Sequence, residues 1–152
     1  MSEDKTRLLL NRVLKEMYPQ VMRLQEKMVS LSADANLSRT EMHALEIIQE
    51  LPGATLTQIA EALEVTKATA SVSVNRLVKK GYLEKHQLPF DKRKSELMLT
   101  PSGEECCKKH KAFHDKMIDS ILSEFKVSEH PELLRSMSAL VEFFAALNKS
   151  GL

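Results

Sequence analysis

Leu56-Thr-Gln-Ile-Ala-Glu-Ala-Leu-Glu-Val-Thr-Lys-Ala-Thr-Ala-Ser-Val-Ser-Val-Asn-Arg-Leu-Val-Lys-Lys-Gly81 is the stretch whose reading decides the fold. Residues 57–63 and 66–80 read as two short helices separated by Glu64-Val65. Ile59, Ala60 and Leu63 of the first fall on the face that packs against Ala70, Val74 and Leu77 of the second. Thr66 suits an N-cap, because its hydroxyl accepts a hydrogen bond from an otherwise unpaired N–H. Gly81 suits the residue just past the helix end, where Lys79 and Lys80 complement the helix dipole. The second helix turns Lys67, Ala68, Thr69, Ser71, Val72, Asn75, Arg76 and Lys79 outward. Small and polar side chains let a helix enter a major groove, and Arg and Lys reach phosphates or guanine edges. Taken alone, the pair also fits two amphipathic core helices with a basic solvated face.

The segment that follows separates these alternatives. Residues 82–86 and 96–100 are strand-like and flank a cation-rich connection, residues 87–95, which holds Asp91, Lys92, Arg93 and Lys94. A helix pair, a strand, a basic turn and a return strand, in that order, make a winged helix-turn-helix. Net charge agrees locally though not globally. The 152-residue chain carries only +1, but residues 66–95 hold eight basic and two acidic side chains, so that segment is +6 and the remainder −5. A basic surface on a nearly neutral protein is what phosphate recognition requires.

Outward from this unit the chain is helical. Leu10, Leu14, Met17, Val21, Leu24, Met28 and Leu31 alternate in steps of four and three along a helix over residues 4–31, which Pro19 should kink or break. Ser38 with Glu41 forms a capping-box pattern for a helix reaching Leu51. Pro101-Ser-Gly103 opens a long helix to about Phe125, and Pro131 begins a last one ending near Asn148. Leu133, Leu134, Met137, Leu140, Val141, Phe144 and Leu147 form a second apolar stripe. It either folds back on its own chain or meets a second copy; a two-fold DNA reader favours the copy. The expected class is mainly α with a small β-wing.

Gly 4 and Pro 5, hydrophobic content of 43% and charged content of 28% suit a soluble helical protein. No apolar run approaches the ~20 residues that span a bilayer. The acidic start Met1-Ser-Glu-Asp4 leads into no signal-type apolar core, so a cytoplasmic protein is expected. The adjacent Cys106 and Cys107 suit a reducing compartment. No nucleophile–base set, glycine-rich phosphate loop or paired-cysteine motif appears, and His110-x-x-x-His114 lacks the glutamate of a zincin helix. An enzyme is therefore not expected. The alternative to a DNA reader is a helical protein-interaction module on a winged-helix scaffold, which would have no use for Lys92, Arg93 and Lys94.

The whole chain resembles the MarR family of bacterial regulators. The resemblance is carried by Val65-Thr-Lys-Ala-Thr-Ala-Ser71, Arg76-Leu-Val-Lys-Lys-Gly-Tyr-Leu83, Asp91-Lys-Arg93 and Leu97-Met-Leu-Thr-Pro-Ser-Gly103. It implies one MarR-like chain over residues 1–152. Residues 38–100 form the DNA-binding region, and residues 1–35 and 101–152 a helical dimerisation region. It further implies a homodimer on a pseudo-palindromic operator, and the expected action is repression, with an effector changing the spacing of the recognition helices. Thr57, Thr66, Lys67, Ala68, Thr69, Ser71, Val72, Asn75, Arg76, Lys79, Asp91, Lys92, Arg93 and Lys94 would lie at the DNA. Arg93 would enter the minor groove with Asp91 orienting it. Val72 departs from the long polar residue common at its position, which favours an apolar contact such as a thymine methyl. The wing sequence Leu88-Pro-Phe90 is also more apolar than usual.

Histidines carry the question of a signal. His110 and His114 stand at i and i+4 on one helix face, the stripe of Cys107, Met117 and Ile121. With His43 and Glu26 they resemble the metal site of the zinc-responsive MarR subgroup, a tetrahedral ligand set for zinc. Thr40-Glu-Met-His43 and His110-Lys-Ala-Phe-His114 resemble more closely the subgroup that regulates fatty-acid synthesis, whose effectors are fatty acids linked to acyl carrier protein. A zinc site, a hydrogen-bonded cluster in a lipid-responsive regulator, and individually satisfied imidazoles all stay open. A redox sensor is disfavoured, since the peroxide-responsive branch uses a first-helix cysteine that this chain lacks.

Overall fold

The apolar spacing of four and three produces a helical rod at the N-terminus: α1 (Glu3–Arg12), a π-helical turn (Val13–Met17) and α2 (Tyr18–Ser32). The disturbance expected at Pro19 is taken up just ahead of it. Pro19 has no N–H for the carbonyl one turn earlier and its ring would strike that carbonyl, so the backbone widens into a π turn instead of breaking. The computed structural model describes residues 3–32, 37–88 and 91–150, with backbone alone for residues 87–88 and 91–95.

Two compact units divide the chain, Met1–Lys111 and Ala112–Leu152. In the first, α3 (Arg39–Glu50), α4 (Leu56–Ala62) and α5 (Lys67–Lys79) pack with a two-stranded antiparallel sheet, β1 (Leu83–Leu88) and β2 (Asp91–Leu99). The core holds Met42, Leu45 and Ile48 of α3, Ile59 and Ala60 of α4, Ala70, Val74 and Leu77 of α5, and Leu83 and Leu97 of the strands. The pairing expected between the two short helices is therefore formed. Each large aliphatic side chain buried here stabilises the fold by about 1.5–3 kcal/mol.

Turn chemistry fixes the angles between these helices. Between α4 and α5, Glu64 adopts a left-handed conformation (φ 54°), which costs a non-glycine residue about 1 kcal/mol and holds only because the flanking helices are packed. Gly81 (φ 80°) ends α5: its N–H donates to the Val78 carbonyl, and the Tyr82 N–H donates to that of Leu77. These two bonds make the glycine-dependent C-terminal motif that Gly81 predicts. The strands are longer than expected, since both extend through most of residues 87–95. Charged residues in the connection hid the strand signal, while antiparallel pairing from Leu83↔Leu99 to Leu88↔Asp91 carries the ladder outward, with an irregularity between Gln87 and Leu88.

Next comes α6 (Pro101–Phe125), which is joined tightly to the end of α5. The Thr100 hydroxyl donates to the Gly81 carbonyl (2.7 Å) and accepts from the Gly103 N–H (3.1 Å), and the Thr100 N–H donates to the Tyr82 carbonyl. Gly103 is glycine for a steric reason: a Cβ there would strike the Tyr82 carbonyl oxygen. Gly103, Cys106, Cys107 and His110 are buried, and α6 as far as Lys111 belongs to the first unit. In the second unit α6 ends at Phe125, Lys126 turns left-handed (φ 47°), a 3₁₀ turn (Val127–Glu129) follows, and α7 runs Pro131–Ser150. No residue of α7 is buried. Among the described residues no helix is long and apolar enough to cross a membrane.

One carboxylate oxygen ties the start of α3 to the end of α5. The Ser38 side chain accepts from the Glu41 N–H, and Glu41 Oε2 accepts from the Ser38 N–H (2.7 Å), completing the predicted capping box. The same Oε2 accepts from Lys80 Nζ at 2.8 Å. Burial pushes the Glu41 carboxyl up, but hydrogen bonds from Lys80 and Ser38 outweigh it and hold the group below the usual carboxylate range. Glu41 is 2% exposed, whereas the Lys80 side chain keeps 24% of its surface in water. Removing either partner of a buried pair costs about 3–5 kcal/mol, and the lower end applies where one partner stays partly hydrated. Lys80→Ala is expected to lower unfolding stability by about 3 kcal/mol in urea titrations. Because the folded pKa is depressed, the contribution is complete above the ordinary glutamate range and is lost as pH falls through the folded value. Glu41→Gln should therefore narrow the stability gap to wild type on acidification.

Candidate nucleic-acid interface

Helix α5 offers one continuous outward face. Lys67, Ala68, Thr69, Val72, Asn75, Arg76 and Lys79 are exposed, as the sequence leads one to expect, while Ser71 is half-buried. The opposite face, Ala70, Ser73, Val74 and Leu77, is buried in the core. Exposed side chains of this kind, basic at Lys67, small at Ala68 and Thr69 and basic again at Arg76 and Lys79, match the cross-section and charge of a major groove.

Local hydrogen bonds and burial engage several residues in and around the expected contact set. The Thr66 hydroxyl accepts from the Thr69 N–H (3.2 Å) and pairs with the Thr69 hydroxyl (2.9 Å), so both threonines are engaged in capping. Thr57 is half-buried in the first turn of α4, which is capped by Thr55 and Gln58. That Thr-x-x-Gln spacing is a capping box visible in the sequence, and it starts the helix at Leu56, one residue ahead of where it was expected. Lys80 counts towards the +6 segment, yet it points into the Glu41 pair. From β1, Lys85 reaches back to α5 and donates to Asn75 Oδ1 at 2.7 Å. Nothing in linear spacing announces this contact; it follows from the reversal at Gly81. Asp91, Lys92, Arg93 and Lys94 are on the backbone of β2, and their side chains lie outside the described residues.

The candidate metal ligands divide. His110 is 1% exposed, and its Nε2 stands 3.6 Å from Glu46 Oε1 of α3. Glu26, the carboxylate expected there, is exposed on α2. The choice between two glutamates depended on helix packing, which places Glu46 against α6. His43 is half-buried on α3, one turn before Glu46, and His114 is half-buried one turn after His110 along α6. Burial, then repulsion from Glu50, pushes the Glu46 carboxyl above its usual range.

Both cysteines are buried and unbridged. Cys106 Sγ contacts Met42 Sδ at 3.7 Å. Burial, then Cys106 and Glu46, pushes the Cys107 thiol up to about 12. Lys108 and Lys109, the neighbouring cations, are exposed and do not offset this shift. Such a thiol stays protonated at neutral pH and is a packing residue.

A family model described as the MarR family matches residues 37–95, the stretch from α3 through most of the wing. The uncharacterized HTH-type transcriptional regulator YhjH of Bacillus subtilis is 29% identical over 150 residues, covering 88% of this chain and 83% of that protein. The HTH-type transcriptional regulator BilQ of Clostridioides difficile is 31% identical over 94 residues, covering 62% and 64%. Among solved structures, Streptococcus pneumoniae FabT in complex with DNA superposes with a TM-score of 0.83 at 28% identity, covering 93% of this chain and 99% of FabT.

The cysteine chemistry gives a direct check. A thiol-reactive chromophore at pH 8 should leave Cys107 unmodified in the folded protein and label it rapidly in guanidinium. Rapid labelling of the native state would mean a thiolate that this burial forbids.

Proposed function

This chain belongs to the MarR family of winged-helix transcription regulators, and from that premise we propose that it binds duplex DNA as a homodimer and represses transcription at a pseudo-palindromic operator. The observation that carries the proposal is the exposed α5 face, with Val72, Asn75, Arg76 and Lys79, set beside a two-stranded wing by the Gly81 turn. Helix α5 enters the major groove. The wing follows the backbone, and Arg93 enters the minor groove. The DNA in the FabT complex supports the same class of partner for this chain.

Surface chemistry supports a second copy, as does the two-fold symmetry of the proposed operator. Leu8, Leu9, Leu14, Met17 and Leu24 are exposed along α1, the π turn and α2, and Leu133, Met137, Leu140, Val141 and Phe144 are exposed along α7. Apolar surface of this extent marks an interface. We propose that the terminal helices of two copies cover it and set the half-site spacing. Phe144→Glu is expected to shift sedimentation equilibrium from twice the 17.2 kDa chain mass towards the monomer, and to lose operator binding with it.

For the effector, two chemistries from the sequence remain as proposals, a fatty acid on acyl carrier protein and a zinc ion. The 3.6 Å between His110 Nε2 and Glu46 Oε1 supports the metal, because two ligands of one tetrahedral zinc stand about 3.4 Å apart. Elemental analysis of untagged protein at micromolar zinc separates them. Bound zinc that Glu46→Gln lowers and Glu26→Gln does not would establish the metal reading with the revised carboxylate.

Arg76→Ala combined with Lys79→Ala should weaken binding to the selected operator at least tenfold at physiological salt. It should also flatten the dependence of log affinity on log salt by about 0.9 for each phosphate that the variant no longer neutralises. Arg93→Ala should weaken binding too, and full affinity in that variant would remove the wing from the interface.

A further inference from the structure

We propose that Lys85 is a specificity-determining residue, which turns Asn75 from a reader of adenine into part of a reader of guanine. The inference rests on the reading above that α5 enters the major groove. It begins from the 2.7 Å hydrogen bond between Lys85 Nζ on β1 and Asn75 Oδ1 on α5.

An ammonium group has donors and no acceptor, so the Asn75 amide has only one orientation beside it: oxygen towards Lys85, nitrogen away. The two Nδ2 hydrogens face outward, and Lys85 keeps two N–H groups beyond the one it gives to Asn75. Asn75 is exposed on the outward face of α5, between Val72 one turn before and Lys79 one turn after. The pair therefore presents a surface of donors with a positive charge beside it.

The two purines differ on their major-groove edges at this level. Adenine offers the N7 acceptor and an N6 amino donor, and an unencumbered asparagine matches both, with its oxygen accepting from N6. Guanine offers two acceptors, N7 and O6. With a lysine ammonium already on one lone pair of Oδ1, the adenine amino group must share that oxygen with a cationic donor, and its own positive edge lies against the ammonium. Guanine O6 meets that same ammonium favourably. Displacing water from the groove strengthens both the Lys85–Asn75 bond and the attraction of the ammonium for O6, since the local dielectric falls. Both residues are exposed in the free protein, so replacing either should leave the fold intact.

The test uses full-length protein and a pool of duplexes of random sequence, selected for binding at one fixed salt concentration. Wild type, Asn75→Ala and Lys85→Met are compared, the methionine keeping the apolar stem and removing the donor. The wild-type site is expected to contain a base pair where guanine is preferred and where Asn75→Ala alone erases the preference. At that pair Lys85→Met should move the ratio of guanine to adenine affinity by about tenfold or more towards adenine, the discrimination a bidentate contact provides. An unchanged guanine preference in Lys85→Met, with affinity reduced equally for all sequences, would make Lys85 a phosphate contact and overturn the proposal while leaving α5 in the groove. An adenine preference at the Asn75-dependent pair in wild type would also overturn it. If no base pair responds to Asn75→Ala, Asn75 reads no base and the proposal fails, whereas a wild-type protein that selects no sequence at all would mark the failure of the groove reading.

Discussion

Glu41 Oε2 is the point on which the DNA-facing half of the molecule depends. It closes the capping box that starts α3, and it receives Lys80 from the end of α5. A carboxylate this deeply buried is costly unless its charge is met, and here it is met from two sides by donors belonging to different elements. The core between α3 and α5 supplies the bulk of the stabilisation, but apolar packing alone tolerates small rotations. A charge-assisted hydrogen bond at 2.8 Å resists them, because turning α5 would leave the carboxylate unpaired. The orientation of the outward face of α5 is thus set by an inward contact at its last turn.

From that fixed end the wing and α6 are built by short-range constraints. Gly81 reverses the chain, Tyr82 lends its carbonyl to Thr100, and Thr100 starts α6 while reaching back to Gly81. Gly103 allows α6 to approach the Tyr82 backbone more closely than any side chain would permit. The end of α5, the start of β1 and the start of α6 therefore form a single junction. The same junction brings Lys85 over Asn75, so a contact on the exposed face of α5 is a consequence of backbone geometry some residues away.

The buried face of α6 shows how similar side chains acquire different roles through packing. Cys107 and His110 share the interior stripe that spacing predicts, yet one is an apolar filler held protonated and the other stands beside a carboxylate. The zinc-site resemblance implied Glu26, on a different helix, as the carboxylate, whereas the one that stands beside His110 is Glu46. Its position one turn after His43 was a usable signal. The burial of His110 against α3, by contrast, is a property of the assembled fold.

The sequence by itself determined the order of elements, the pairing of the two short helices, the caps at Ser38 and Thr66, the break in regular helix around Pro19 and the turn at Gly81. These depend on periodicity and on residues with strong local preferences, which act over one or two turns. Tertiary structure alone decided which charges face outward. Lys80 and Lys85 look alike in the chain, as do Glu26 and Glu46. Their roles were assigned by what the packed helices placed within a few ångströms of each, because electrostatic partnership depends on distance in space and on local dielectric, and neither is written in linear spacing.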